Sequence, residues 1–265
     1  MYYQVNNIRL FVVDEGDKSP VLLFLHFWGG SSRTWEQVSN LLKDRYRCIR
    51  FDHRGWGESE KPATGYSIGS LASDALTLIS TLGLDNFVLI GHSMGGKVAQ
   101  AVAAQRPAGL KKLILVAPSP ASSTNVPDEM LQSMSNAYAS LDGINATIDT
   151  VFKADDLPID LRNQVIGDMQ KHTANSRLGW PRIGLPEDVS TGLENIDVPT
   201  LVIAGENDIV DPPARLESEV VQKIPHARMV VARNVGHLLM VQAPAKIAAL
   251  IDDFCRLPSP GHNGQ

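Results

Sequence analysis

Cysteine is almost missing from this sequence. Cys48 and Cys255 are the only two among 265 residues, and they form no Cys-x-x-Cys pair. That excludes a disulfide framework or a thiolate metal centre as an organising feature and fits two reduced thiols in a reducing compartment. An excess of basic charge is missing as well. Lys and Arg total 24 against 29 Asp and Glu, a net charge of −5, which argues against a nucleic-acid-binding face. No apolar run approaches the roughly 18 residues that a membrane helix needs. The opening Met1-Tyr2-Tyr3-Gln4-Val5-Asn6-Asn7 lacks the basic and then apolar segments of a secretory signal. The cytoplasm is the expected address, with neither membrane nor nucleic acid as a partner. There is no Walker loop, no Gly-x-Gly-x-x-Gly and no His/Cys/Asp/Glu cluster at metal-ligand spacing. Neither a metal nor another cofactor is expected.

The chain that remains is 43% hydrophobic and 20% charged, which excludes wholesale disorder. Its length suits one large domain that buries about three quarters of its unfolded surface. Short apolar runs at 21–25, 47–51, 87–90, 113–116, 201–203 and 229–231 alternate with helical patterns at 35–42, 70–82, 96–105 and 243–254. Continuous apolar runs suit strands buried on both faces, and strand–helix alternation predicts a mainly parallel sheet with helices on both faces. Segments 3–5 and 8–13 predict an antiparallel edge hairpin turned at Asn6-Asn7.

Residues 118–190 break the alternation. Met130, Leu131, Met134 and Tyr138, then Ile144, Ile148, Val151 and Phe152, then Leu161, Val165 and Met169 fall at helical spacing, punctuated by six prolines. This predicts a helical cap, residues 118–190, inserted into a core made of 1–117 and 191–257. Residues 258–265 are expected to be disordered. The apolar cap positions can pack on the core, line a pocket beneath the cap, or both.

Chemistry is concentrated at three strand ends. Gly91-His92-Ser93-Met94-Gly95 lies between the run 87–90 and the helical stretch 96–105. This is the strand–turn–helix setting in which a Gly-x-Ser-x-Gly turn presents a nucleophile. The two glycines allow the close approach that the sharp turn forces. A nucleophilic Ser93 needs a base and the base an orienting acid. His237, on the loop after 229–231, is the best base, and Asp208, past 201–203, the best acid. Asp211 is expected instead to cap a helix at 214–223. His53 and His226 read as surface-loop residues and His92 as a packed neighbour. His172, in the cap, reads as a solvated helix face or a substrate contact. One donor to an oxyanion is expected from the N–H of Met94 and the other from the loop His26-Phe27-Trp28-Gly29-Gly30.

The motifs His26-Phe-Trp-Gly, Asp52-His-Arg-Gly-Trp-Gly-Glu-Ser59, Gly91-His-Ser-Met-Gly-Gly96, Val198-Pro-Thr-Leu-Val-Ile-Ala-Gly-Glu-Asn-Asp208 and Gly236-His237 resemble the α/β-hydrolase superfamily. The likeness is to its small bacterial esterase and non-haem haloperoxidase-like branch, and it spans nearly the whole chain. The resemblance implies an eight-stranded sheet and a cofactor-free serine hydrolase acting on a small ester or lactone. Its site would comprise Ser93, Asp208, His237, Trp28 and Met94. It also implies that the loop 52–59 packs beneath the site. Phe27 stands where the family usually has Gly. Dehalogenases and epoxide hydrolases of this fold carry Asp at the nucleophile position, where this chain has Ser93. Perhydrolases often carry Pro after the oxyanion residue, where this chain has Gly29. A C–C bond hydrolase, a cofactor-independent oxygenase and a slow-turnover ligand-binding protein remain open as alternatives. Phe27, Trp28, Tyr138, Phe152 and Trp180, with Met130 and Met134, are the expected pocket wall. A compact apolar wall of this kind favours short or medium acyl chains.

Overall fold

Eight strands make one sheet in the computed structural model, which describes residues 1–257; the tail 258–265, expected to be disordered, lies outside the described residues. The strands are β1 (Tyr2–Val5), β2 (Ile8–Glu15), β3 (Val21–Leu25), β4 (Arg47–Phe51), β5 (Phe87–His92), β6 (Leu110–Val116), β7 (Thr200–Gly205) and β8 (Ala227–Ala232). The helices are α1 (Glu36–Leu42), α2 (Ile68–Thr81), α3 (Met94–Ala104), α4 (Asp128–Ala137), α5 (Leu141–Ala146), α6 (Ile159–Met169), α7 (Ala174–Gly179), α8 (Pro213–Glu219), α9 (Leu239–Gln242) and α10 (Pro244–Arg256). The strand order is β1-β2-β4-β3-β5-β6-β7-β8. Pairing is antiparallel for β1/β2 and β2/β4 and parallel for the rest.

Burial explains the apolar runs. Every residue of β5 and β7 is buried, whereas the edge strand β8 is largely half-exposed. Asn6 and Asn7 have φ of 46° and 66°, the left-handed pair that a two-residue hairpin turn requires and that asparagine tolerates. Helix α1 packs on α10 and α2 on α3. Capping sets the helix starts. The Ser67 hydroxyl accepts the Ser70 N–H ahead of α2, and Pro244 opens α10. Parallel strands all end on one side of a sheet, so the loops after β3, β5, β7 and β8 converge there.

Between β6 and β7 the chain inserts α4 to α7 and two π-turns, Thr147–Val151 and Trp180–Gly184. The neck of this insertion is tied to itself: Thr124 N–H donates to the Leu185 carbonyl (3.1 Å) and Val189 N–H to that of Ala121 (2.9 Å). Lys97 of α3 closes the tie, its buried ammonium donating to the carbonyls of Ser122 (3.1 Å) and Leu185 (3.0 Å). Burial lowers that ammonium's pKa to about 8. Farther out, Lys171 pairs with Glu58 (2.7 Å) and the Gln164 amide donates to the Arg33 carbonyl (3.1 Å). One expected wall residue fails here. Met130 is 52% exposed in the first turn of α4, and it is Met134, one turn later on the same face, that packs against the core.

The loop 52–59 is organised by one buried carboxylate. Asp52 accepts the N–H of Ser32 at 2.5 Å and that of Glu58 at 2.7 Å, and Ser59 donates its hydroxyl to the Asp52 carbonyl at 2.6 Å. Asp52→Ala would leave two backbone donors without a partner. It should lower unfolding free energy by about 1–3 kcal/mol per uncompensated buried group. Denaturant titration checks this, and a loss below ~0.5 kcal/mol would contradict it.

Candidate active site

Ser93 sits at the junction of β5 and α3 with φ 53° and ψ −117°, a conformation that costs an L residue about 1–3 kcal/mol. Neighbouring bonds hold it there. Ser93 N–H donates to the Val116 carbonyl (3.2 Å), and the Ser93 carbonyl accepts from Lys97 N–H (3.0 Å) and Ser119 N–H (3.1 Å). Gly95 is required at the turn, since a Cβ there would lie 2.5 Å from the His26 carbonyl oxygen.

The other two expected residues arrive from the loops after β7 and β8. His237 Nδ1 lies 2.8 Å from Asp208 Oδ2, and His237 Nε2 lies 3.0 Å from Ser93 Oγ. The carboxylate can only accept, so Nδ1 carries the proton and Nε2 is left to accept the Ser93 hydroxyl. Asp208 is fixed by its second oxygen, which accepts the N–H groups of Val210 (2.8 Å) and Asp211 (3.2 Å). Ser93 is 8% exposed, His237 1% and Asp208 2%, so the hydrogen-bonded chain is screened from bulk water. Burial alone would lower the His237 pKa. The Asp208 carboxylate, by its charge and its hydrogen bond, and the charge of Asp211 raise it above the ordinary histidine value instead.

The aromatic residues expected around the site are mostly brought together. Phe152 stacks on the His237 ring at 5.3 Å between centroids, and Phe27 meets Phe152 edge-on at 5.7 Å. Tyr138 lies on Trp28 at 4.1 Å. Trp180 is the exception. It is buried, and its ring lies beside Gly184 with the Lys97 ammonium 6.0 Å from its centroid. Among the described residues no group of three or more His, Cys, Asp or Glu could hold a metal ion, and no helix is long and apolar enough to cross a membrane.

Residues 20–143 match the family model described as the alpha/beta hydrolase fold. A Bacillus subtilis protein of the AB hydrolase superfamily is 29% identical, covering 94% of this chain and 96% of its own. A non-heme haloperoxidase from Rhodococcus erythropolis is 28% identical, over 86% of this chain and 89% of its own. Among solved structures, a thermophilic esterase from Thermogutta terrifontis superposes with a TM-score of 0.80 at 25% identity, covering 97% of each chain. The sheet and its helices match the α/β-hydrolase fold.

Within that fold, His26, His53 and His172 have contacts that the sequence does not announce, and His92 is the packed neighbour expected. His53 is not a surface residue. It is fully buried, its ring 4.6 Å from that of His26. Its backbone N–H donates to His26 Nε2 (2.9 Å), which places the His26 proton on Nδ1, and Nδ1 donates to the Phe27 carbonyl (2.7 Å). His26 is thus a neutral latch on the Phe27-Trp28 loop, and burial lowers its pKa further. His92 donates from Nε2 to the His237 carbonyl (2.8 Å), steadying the backbone of that residue. His172 is only half-buried; its Nε2 donates to the Tyr138 carbonyl (3.0 Å). The one sequence signal for His26 is its place at the head of His26-Phe27-Trp28-Gly29; the others depend on tertiary contacts.

Asp211 is not a helix cap. The N-cap of α8 is Pro212, with no side-chain hydrogen bond. Asp211 is 2% exposed and pairs with Arg215 at 3.2 Å. Burial raises its carboxyl to about 7 against the opposing charges of His237 and Arg215. Two consequences follow for Asp211→Asn. Removing a negative charge near His237 should lower the pKa of that imidazole, read by NMR titration of its ring; an unchanged or higher value would contradict the assignment. An acid whose folded pKa is raised binds more protons folded than unfolded between about pH 4 and pH 7, so its contribution falls as pH rises through that window. The variant should lose part of that fall when unfolding free energy is measured against pH.

Proposed function

We propose that this protein is a cofactor-free serine hydrolase of small carboxylic esters, lactones included as cyclic esters. The observation that carries the reading is the Ser93–His237–Asp208 hydrogen-bonded chain, at 3.0 and 2.8 Å, on a strained turn. Ser93 Oγ attacks the ester carbonyl while His237 Nε2 takes the hydroxyl proton. The N–H groups of Trp28 and Met94 stabilise the tetrahedral oxyanion. The intermediate expels the alcohol oxygen, which takes the proton from His237, and leaves an acyl group on Ser93. Water then gives a proton to His237 and its oxygen attacks the acyl carbon. The acid departs and Ser93 regains its proton. Asp208 holds the imidazole in the required tautomer and stabilises the imidazolium.

Phe27, Trp28, Tyr138 and Phe152, each under 8% exposed, roof the site, and we read residues 118–190 as its cap. An apolar wall of this kind suits short or medium acyl groups. Gly29 favours hydrolysis over peracid formation: its φ of +94° is closed to proline, whose ring fixes φ near −65°.

Fluorophosphonate labelling tests the nucleophile. Wild-type protein should be modified once, at Ser93, and Ser93→Ala should not react. Asp208→Asn should reduce kcat by about 10⁴. In a p-nitrophenyl series from acetate to palmitate, kcat/KM should peak at a short or medium chain. Labelling of Ser93→Ala at the wild-type rate would overturn the nucleophile, and a maximum at palmitate would overturn the enclosed pocket. Labelling without turnover of any ester would favour a C–C bond hydrolase, an oxygenase or a ligand-binding protein.

A further inference from the structure

Trp28 is held from the insertion at two points. The Tyr138 hydroxyl donates to the Trp28 carbonyl at 3.0 Å, and the Trp28 indole Nε1–H donates to the Arg177 carbonyl at 3.0 Å. Tyr138 follows α4 and Arg177 lies in α7, so two separate segments of the insertion grip one residue of a core loop. The grip is braced. The Arg177 guanidinium donates to the Ser135 carbonyl, and the Tyr138 carbonyl accepts from His172. Tyr138 is 2% exposed, and its ring rests on the backbone of Gly29, where a Cβ would lie 2.6 Å from Cε2.

These contacts bear on the direction of the Trp28 N–H. That N–H shares a peptide plane with the Phe27 carbonyl, and the two point oppositely in a trans peptide. His26 Nδ1–H and Gly30 N–H fix the carbonyl from the core side, at 2.7 and 2.9 Å. The next plane carries the Trp28 carbonyl, and in the contacts of this loop it is Tyr138 that holds it. With both planes anchored, φ and ψ of Trp28 have no slack. With the second released, the residue between them can rotate.

We propose that Tyr138 is a positioning residue that completes the oxyanion site by holding the Trp28 carbonyl, so that closure of the insertion and alignment of the Trp28 N–H are one event. The proposal rests on the serine-hydrolase reading above. Substrate enters when the insertion lifts, and Trp28 is then released at its carbonyl and its indole together. Closure restores both bonds around the bound ester. The transition state gains a donor that the ground state does not need, so the effect falls on kcat rather than KM.

Tyr138→Phe keeps the ring on Trp28 and removes only the hydroxyl. The bridges Lys171–Glu58 and Gln164–Arg33 still hold the insertion closed. With p-nitrophenyl butyrate, kcat should fall about ten- to a hundredfold with KM within roughly twofold, a fraction of what losing an oxyanion donor costs. Affinity for a trifluoromethyl ketone, whose serine adduct carries the oxyanion, should fall by a similar factor. Lys171→Met breaks an insertion–core bridge without touching Trp28 and should keep kcat. If Tyr138→Phe retains wild-type kcat and ketone affinity, or if Lys171→Met loses kcat equally, the proposal is overturned. If wild-type protein is phosphonylated at Ser93 but turns over no ester, the phosphonylation rate replaces kcat as the readout, with the same slowing expected. If wild-type protein neither hydrolyses esters nor reacts at Ser93, the hydrolase reading falls and this proposal with it. Turnover by the wild type with no effect of Tyr138→Phe removes this proposal alone.

Discussion

The backbone of Ser93 is the constraint around which the rest is arranged. A non-glycine residue at φ 53° and ψ −117° persists only when its surroundings over-determine it. Here the buried strand β5 leads in and helix α3 leads out. The carbonyl of Ser93 accepts two N–H groups, and Gly95 lets α3 press against the end of β3. Parallel pairing of β3, β5, β6 and β7 then brings the three loops bearing Trp28, Asp208 and His237 to the same side. None of those loops could hold its side chain so closely without the sheet to fix where it starts.

Around that turn the buried histidines are mostly neutral spacers that carry hydrogen bonds. His26 and His92 each use one ring nitrogen to grip a backbone carbonyl, and burial keeps both from charging. His237 differs because a carboxylate faces it, and the same desolvation is outweighed by Asp208. Three buried imidazoles thus behave in two ways: Asp208 both faces and hydrogen-bonds the His237 ring, whereas Asp52 acts on His26 through its charge alone and burial prevails. Asp211 is the reverse case. It is a carboxyl buried beside another carboxyl, and its raised pKa reflects burial more than its pairing with Arg215.

The strands were legible because a strand covered on both faces must be apolar throughout, as β3 and β5 are. The site was legible because chain order and strand ends place Ser93, Asp208 and His237 without reference to side-chain packing. What was not legible depends on a third dimension. His53 lies in a polar loop and reads as exposed, yet the His26 and Phe51 rings enclose it. Asp211 precedes two prolines and reads as a cap, but the chain turns it inward and α8 starts without it. Met130 and Met134 occupy the same helical stripe in the sequence, yet only Met134 is covered by the core. Trp180 is apolar and in the insertion, as expected of a wall, but its π-turn carries it to the neck beside Lys97.

The neck and the grip on Trp28 divide the insertion into two kinds of attachment. At the neck, Lys97 and the backbone bonds between 121–124 and 185–189 are buried, so that end is fixed to α3 and through it to the Ser93 turn. At the far end, Lys171–Glu58 is exposed on both sides, and exposed ion pairs hold weakly, about 0–1 kcal/mol. On the proposal above, opening releases Tyr138 and Arg177 from Trp28 while the buried bonds of Lys97 keep the neck in place. Opening would also act on His237, whose N–H donates to the Phe152 carbonyl of the insertion at 2.8 Å and whose ring stacks on that of Phe152. Closure on that reading restores two sets of contacts together, those of the Trp28 loop and those of the His237 backbone.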